Sequence, residues 1–523
     1  MLSKVTSAGL YGADGVLICC EADVSDGLPG ILMIGYLAPE VREAAERVRT
    51  AVQNSGLRME PRKVTINLSP ADIRKEGCGH DLAIAVSYLR SGGRIRGSLC
   101  DALIGESVFL GELSLSGRIL PLKGILPMTA AAREAGFRRI FVPQENAAEA
   151  AAIEGMEVCG VSGLEEIVRM LNGEVPLPAA VPGLPPEPPE SEKDFSEIAG
   201  QELVKRAAVI AVCGMHNFLM IGPAGTGKSM IAARIPTILP DMTREEQLQV
   251  SKLYSVCGML PGGHALMTRR PFRSPHHTIT PQAMSGGGAH PRPGEVSLAS
   301  GGVLFLDELA EFRSSTLEVL RQPMEEKKIT VSRIRGTVEY PADFILCAAT
   351  NPCRCGFYPD RSRCSCTPAQ VRSYLGRISK PLLDRIDICV ATEPPSFGDL
   401  KNASGGEPSS RIRETVGRIQ EIQRKRLAAA GIRYNGQMTP AMIREFCPLS
   451  PEDDRFLREV YEKKRMSARS LHKVMRVART IADLEGSEKI RREHLAEALG
   501  YRLTEEIYWG GGADGRSDQT AER

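Results

Sequence analysis

Residues 218–229 read FLMIGPAGTGKS, and the helical MIAARI follows directly. An apolar run of strand length breaks at Gly222, Pro223, Ala224 and Gly225, then passes through Thr226, Gly227, Lys228 and Ser229 into a helix. The spacing Gly222-x-x-x-x-Gly227-Lys228-Ser229, between strand and helix, is that of a phosphate-binding loop. Glycines let backbone N–H groups wrap phosphates, and the helix N-terminus adds its partial positive charge. Lys228 is placed to reach the β- and γ-phosphates of ATP, and the Ser229 hydroxyl to bind Mg2+. The reading sets the fold class as α/β, with a parallel sheet carrying helices on both faces.

Further along, GGVLFLDELAEF places four apolar residues, Val303–Leu306, before Asp307 and Glu308. A buried strand delivers both acids to its C-terminal end, where open α/β sheets bind ligands. Asp307 is expected to hold Mg2+ through water, and Glu308 to polarise the attacking water. A third strand, ADFILCAATN, ends in Asn351, positioned to contact the γ-phosphate or that water; simple capping of the strand is the alternative. SKPLLDRIDICV offers Arg385, which can neutralise charge at the γ-phosphate across a subunit boundary. MSARSLHKVMRVARTIADL offers Arg469 at a helix start, able to reach back to nucleotide. Alone, either arginine suits a surface ion pair equally well.

The chain has 523 residues, more than one core holds, and a prior of roughly 100–200 residues per domain gives about three units. Residues 1–174 read as a separate α/β domain. Within it VREAAERVRTAVQNSG and HDLAIAVSYLRSGG read as helices and KVTINLSP as a strand. Residues 175–194, VPLPAAVPGLPPEPPESEKD, form a proline-rich linker. Residues 195–400 hold the nucleotide-binding domain. A soft segment at 394–410 separates it from a helical lid at 411–503, and 504–523 read as a disordered tail.

Net charge is only +2, so the whole-chain balance names no partner. Residues 411–479 carry 17 Lys/Arg against 8 Asp/Glu, which suggests either a solvated helical face or a surface for polyanions. No run of 18 apolar residues predicts a membrane span, and the first 20 residues lack a secretory apolar core, so a cytoplasmic protein with reduced cysteines is expected. Four of the 14 cysteines cluster in NPCRCGFYPDRSRCSC. Cys353, Cys355, Cys364 and Cys366 can converge on a structural Zn2+; the alternative is four free or redox-active thiols.

Two segments offer surfaces for a substrate. Residues 269–294, RRPFRSPHHTITPQAMSGGGAHPRPG, read as an insertion that could line a pore, with His276 and His277 either structural or, more weakly, zinc ligands. KKITVSRIRGTVEYP reads as a hairpin whose Arg333 and Arg335 share a face and could grip DNA phosphates. One Trp and 5% aromatics argue against base-stacking platforms.

FSEIAGQELVKRAAVIAVCGMHNFLMIGPAGTGKS, FRSPHHTIT, GEVSLASGGVLFLDELAEF, AATNPC, LLDRIDICV and ARTIADLEG together resemble the magnesium-chelatase-like AAA+ family that includes ComM and YifB. The resemblance covers nearly the whole chain to about residue 503. It implies a hexameric ring with nucleotide at subunit interfaces. It assigns Asn351 as sensor 1, Arg385 as arginine finger and Arg469 as sensor 2. It further implies a DNA helicase driving branch migration during natural transformation, or, as in magnesium chelatase, remodelling of a protein partner. Ala224 stands where the family more often has proline. GELSLSGRILPLKGI resembles the proteolytic domain of Lon, which uses a Ser–Lys dyad. Here Gly79 falls at the serine position and Leu126 at the lysine position, so a non-proteolytic domain is expected; Cys78 and Lys123 lie nearby without replacing the pair.

Overall fold

The computed structural model describes residues 2–57, 60–178, 193–260, 266–288, 291–333, 336–401 and 406–509. Most of the linker and the whole segment after Trp509 therefore lie outside the described residues. The chain divides into two compact units.

The first unit comprises residues 1–188 with 243–268 and 291–293. Its seven-stranded mixed sheet runs in the order Gly30–Ile34, Lys63–Ser69, Asp14–Ser25, Ser3–Tyr11, Ser107–Phe109, Arg139–Pro143, Glu157–Val161. The strand Lys63–Ser69 alternates exposed or half-buried with buried residues, as its pattern predicts. The helix Asp81–Ser91 is buried along its whole length, so it is a core helix rather than an amphipathic one. Sequence pattern did not expose the opening hairpin, in which Tyr11 pairs with Asp14 across a two-residue turn.

The helix Arg244–Cys257, read as part of the nucleotide-binding domain, belongs to this first unit. Its Ser255 accepts from the Gly124 N–H at 3.0 Å and its hydroxyl donates to Glu149 at 2.5 Å. Leu126, Ala130, Ala152, Ile153 and Leu266 make a small apolar cluster beneath it. Leu126 is thus a fully buried packing residue. Burial raises the Cys78 thiol pKa, the reverse of what a nucleophile needs.

The second unit holds residues 189–242, 269–290 and 294–523. Its five-stranded sheet is parallel throughout, in the order Phe272–Arg273, Val303–Leu306, Ile345–Thr350, Phe218–Ile221, Ile388–Ala391. The first strand in sequence lies between the last two, so the order reverses there and opens a crevice at the strands' C-terminal ends. Both faces are covered. Phe218, Met220, Phe305 and Cys347 join one cluster; Leu219, Ile221, Leu304 and Leu346 join another. This explains why these strands read as unbroken apolar runs. Residues 269–294 are not a free insertion, because Phe272–Arg273 is the edge strand of this sheet. The soft segment at 394–410 contains a short helix, Phe397–Lys401.

The helical end consists chiefly of Ser409–Leu427, Pro440–Phe446, Pro451–Lys463, Ala468–Leu484 and Arg492–Trp509. Five of its basic residues are taken up by partners within the unit, which reduces the expected polyanion surface. Arg413 meets Asp241, Arg426 and Arg479 meet Asp483, Arg476 meets Asp387, and Lys473 donates to the Leu383 and Ile386 carbonyls. Burial pushes Lys473 down to about 8. Twelve others, among them Arg455, Arg458, Lys463, Lys464 and Arg465, are exposed.

The hairpin is formed by Lys328–Arg333 and Gly336–Pro341. The Arg333 side chain and the whole of Arg335 lie outside the described residues.

Candidate nucleotide site

Because the sheet is parallel, everything that follows its strands gathers at one edge. Gly222 to Gly227 follow the central strand, Asp307 and Glu308 follow Val303–Leu306, and Asn351 follows Ile345–Thr350. The next strand adds Thr392, which the sequence reading missed. Its hydroxyl lies 2.9 Å from the Thr226 hydroxyl, and its N–H donates to Ile221. Gly222 is required there: a Cβ would meet the Thr392 hydroxyl at 2.2 Å. Gly227 caps the helix Lys228–Ile238 at φ +82, in the left-handed region that glycine tolerates.

Lys228 is buried and donates to the carbonyls of Gly222 at 2.8 Å and Pro223 at 2.7 Å, with Asn351 Oδ1 at 3.4 Å. Burial pushes its pKa down, while Asp307 and Glu308 pull the other way. A phosphate competes for the same protons and replaces weak carbonyl partners with a charged one.

The Ser229 hydroxyl donates to Asp307 Oδ2 at 2.6 Å. A hydroxyl and a carboxylate at one edge fit Mg2+, a hard cation that keeps several of its waters. The other Asp307 oxygen accepts from the Glu308 N–H at 2.9 Å, which fixes the carboxylate's orientation. Glu308 is exposed and takes φ +51, a left-handed conformation costing about 1–3 kcal/mol for a residue other than glycine. His277 Nδ1 stands 3.6 Å from Glu308 Oε2 and its ring lies tilted against His276, 4.1 Å between centroids. The histidine pair therefore belongs to the surroundings of the acid; no further thiol or imidazole joins it as a metal group among the described residues.

Arg385 and Arg469 are not brought to the phosphates of their own chain. The Arg385 carbonyl accepts from Asn217, the residue before the central strand, at 2.9 Å. A four-residue strand of about 13 Å thus separates that turn from the phosphate loop. The Arg385 guanidinium pairs with Glu325 at 2.5 Å and donates to the Pro381 carbonyl at 2.6 Å. Arg469 is exposed, with Asp384 at 3.8 Å, so it stands beside the same turn.

The loop after Asn351 gathers four thiols. Cys353 Sγ lies 3.3 Å from Cys355 and 3.8 Å from Cys364, and all four sulfurs lie within 4.8 Å of one another. Tetrahedral Zn–S bonds of about 2.3 Å separate sulfurs by about 3.8 Å. A hydrogen bond from the Phe357 backbone leads in pushing Cys355 down to about 6.

A phosphate-binding loop, an acid pair and a polar strand end at the switch point of a parallel sheet define a P-loop ATPase. A family profile described as magnesium chelatase, subunit ChlI, matches residues 194–400. Two more, for subunit ChlI and its C-terminal part, match 20–146 and 406–502. The competence protein ComM of Haemophilus influenzae is 37% identical over 506 residues, covering 96% of this chain and 97% of that protein. YifB of Escherichia coli K12 is 38% identical over 512 residues, 97% of this chain and 98% of that protein. Lon protease of Mycolicibacterium smegmatis is 28% identical over 149 residues, 27% of this chain and 18% of that protein. The chain belongs to the ComM and YifB family of magnesium-chelatase-like AAA+ ATPases, with a Lon-like N-terminal region. The family uses ATP and Mg2+, which the residues described above fit. Among the described residues no helix is long and apolar enough to cross a membrane.

Proposed function

We propose that this ATPase is a cytoplasmic hexameric motor acting on DNA, a helicase that promotes branch migration in natural transformation. The observation that carries the reading is the near full-length similarity to a competence protein. Each subunit supplies Lys228, Ser229, Asp307, Glu308 and Asn351, and a neighbour supplies Arg385 and Arg469. The position of both arginines beside one turn, at the sheet edge away from their own phosphate loop, supports that division. The exposed basic residues of the lid, together with Arg333 and Arg335 of the 328–341 hairpin, grip the DNA backbone.

Binding of this kind releases counterions, so affinity for four-way-junction DNA falls steeply as salt rises and depends little on base sequence. A fluorescence titration from about 50 to 200 mM salt, a range over which six to ten phosphate contacts weaken binding about 10³–10⁵-fold, tests it. A flat salt dependence contradicts phosphate gripping.

The four thiols hold a structural Zn2+ with no open coordination position. Metal analysis of reduced protein is expected to find about one zinc per chain, lost when Cys364 and Cys366 are both replaced by serine. Zinc content unchanged in that variant removes the site.

A further inference from the structure

The four-cysteine loop begins beside the phosphate loop. Asn351 approaches Lys228 at 3.4 Å, and Cys353, two residues on, is fully buried. The chain then turns, with the Gly356 N–H donating to the Cys353 carbonyl at 3.1 Å. Gly356 has φ +86, and a Cβ built there stands 3.8 Å from the backbone nitrogen of Ala224. The turn between Cys353 and Cys364 therefore lies beside the phosphate loop, about one side-chain atom away from it.

The far end of the loop returns to the same strand. Thr367, next after Cys366, caps the helix Pro368–Leu375 with a reciprocal capping box. Tyr374 and Leu375 of that helix pack in one apolar cluster with Leu346 and Ala348 of the strand that presents Asn351. Between these anchors Arg361 and Arg363 cover the rings of Tyr358 and Phe357 at 4.9 and 4.1 Å. At the centre the thiols face one another. Thiols are weak hydrogen-bond partners, and four thiolates this close repel unless a cation joins them.

We propose that the thiolate-bound zinc positions the phosphate site, so that zinc and ATP each raise the chain's affinity for the other. This rests on the zinc reading given above. Zinc fixes the 353–356 turn, which supports Ala224 from outside and holds Asn351 toward Lys228. Bound ATP in turn orders the phosphate loop against that turn and favours the geometry in which the four sulfurs converge. The two effects are equal by linkage, whatever their size.

The experiment is a zinc competition on the full-length protein against a chromogenic chelator, with and without a non-hydrolysable ATP analogue saturated with Mg2+. The zinc Kd is expected to tighten about fivefold or more with the analogue, and the analogue's Kd to weaken by the same factor in zinc-depleted protein. Gly356→Val keeps all four thiols but puts a β-branched residue at positive φ against Ala224. It is expected to retain zinc while the coupling factor falls toward one. Equal zinc Kd with and without analogue in the native protein overturns the coupling and leaves the zinc site standing. Absence of zinc from the native protein overturns both. Coupling undiminished in a zinc-replete Gly356→Val protein overturns the route through the turn.

Discussion

Glu308→Gln is expected to bind ATP with Mg2+ almost normally and to hydrolyse it about 10²–10⁴-fold more slowly, the usual contribution of a general base. Gln keeps the size and hydrogen-bonding reach of Glu and removes only the basic carboxylate. Asp307, which with Ser229 would hold magnesium, keeps its partner at 2.6 Å and accepts the backbone N–H of residue 308. Because the left-handed backbone at this position is set by its surroundings, the variant inherits the same strain and fold. Single-turnover hydrolysis alongside equilibrium binding separates the two effects. Near-normal turnover assigns the base elsewhere.

Arg385→Ala is expected to leave nucleotide binding nearly intact and to lower hydrolysis about 10³–10⁵-fold, the range for an arginine supplied to a developing phosphoryl charge. The substitution breaks a pair with exposed Glu325 and a bond to the Pro381 carbonyl, neither of which touches the phosphate loop, so circular dichroism and binding are measured alongside hydrolysis. Since the Arg385 turn and the phosphate loop lie at opposite ends of the central strand, the proposed function has this charge come from a neighbouring subunit. Mixing Arg385→Ala with Glu308→Gln subunits is then expected to restore some hydrolysis, because some interfaces join an intact acid to an intact arginine. Verified mixed assemblies with no recovery argue against a shared site.

Residues contiguous in sequence were legible because one strand, one loop and one helix carry their chemistry. The phosphate loop, Asp307 with Glu308, and Asn351 each follow an apolar run, and a parallel sheet gathers run ends at one edge. What stayed hidden depends on which strands become neighbours. Thr392 contacts Thr226 across 166 positions of sequence, and His277 meets Glu308 from a loop that read as an insertion. The two-residue edge strand Phe272–Arg273 is too short to show a period. Residues 244–257 form a capped helix, and only its partner surface shows that it packs with the first unit. Charge counts misled in part, because composition cannot tell that Arg426 and Arg479 converge on buried Asp483.

A DNA motor couples hydrolysis to its track, so the decisive measurement is the steady-state ATPase rate of the full-length protein at low salt, with and without DNA. Four-way-junction or forked DNA is expected to raise the rate severalfold, and the rise is expected to disappear in Glu308→Gln. A rate unchanged by single-stranded, forked and junction DNA would contradict the motor and leave remodelling of a protein partner as the function of the same site.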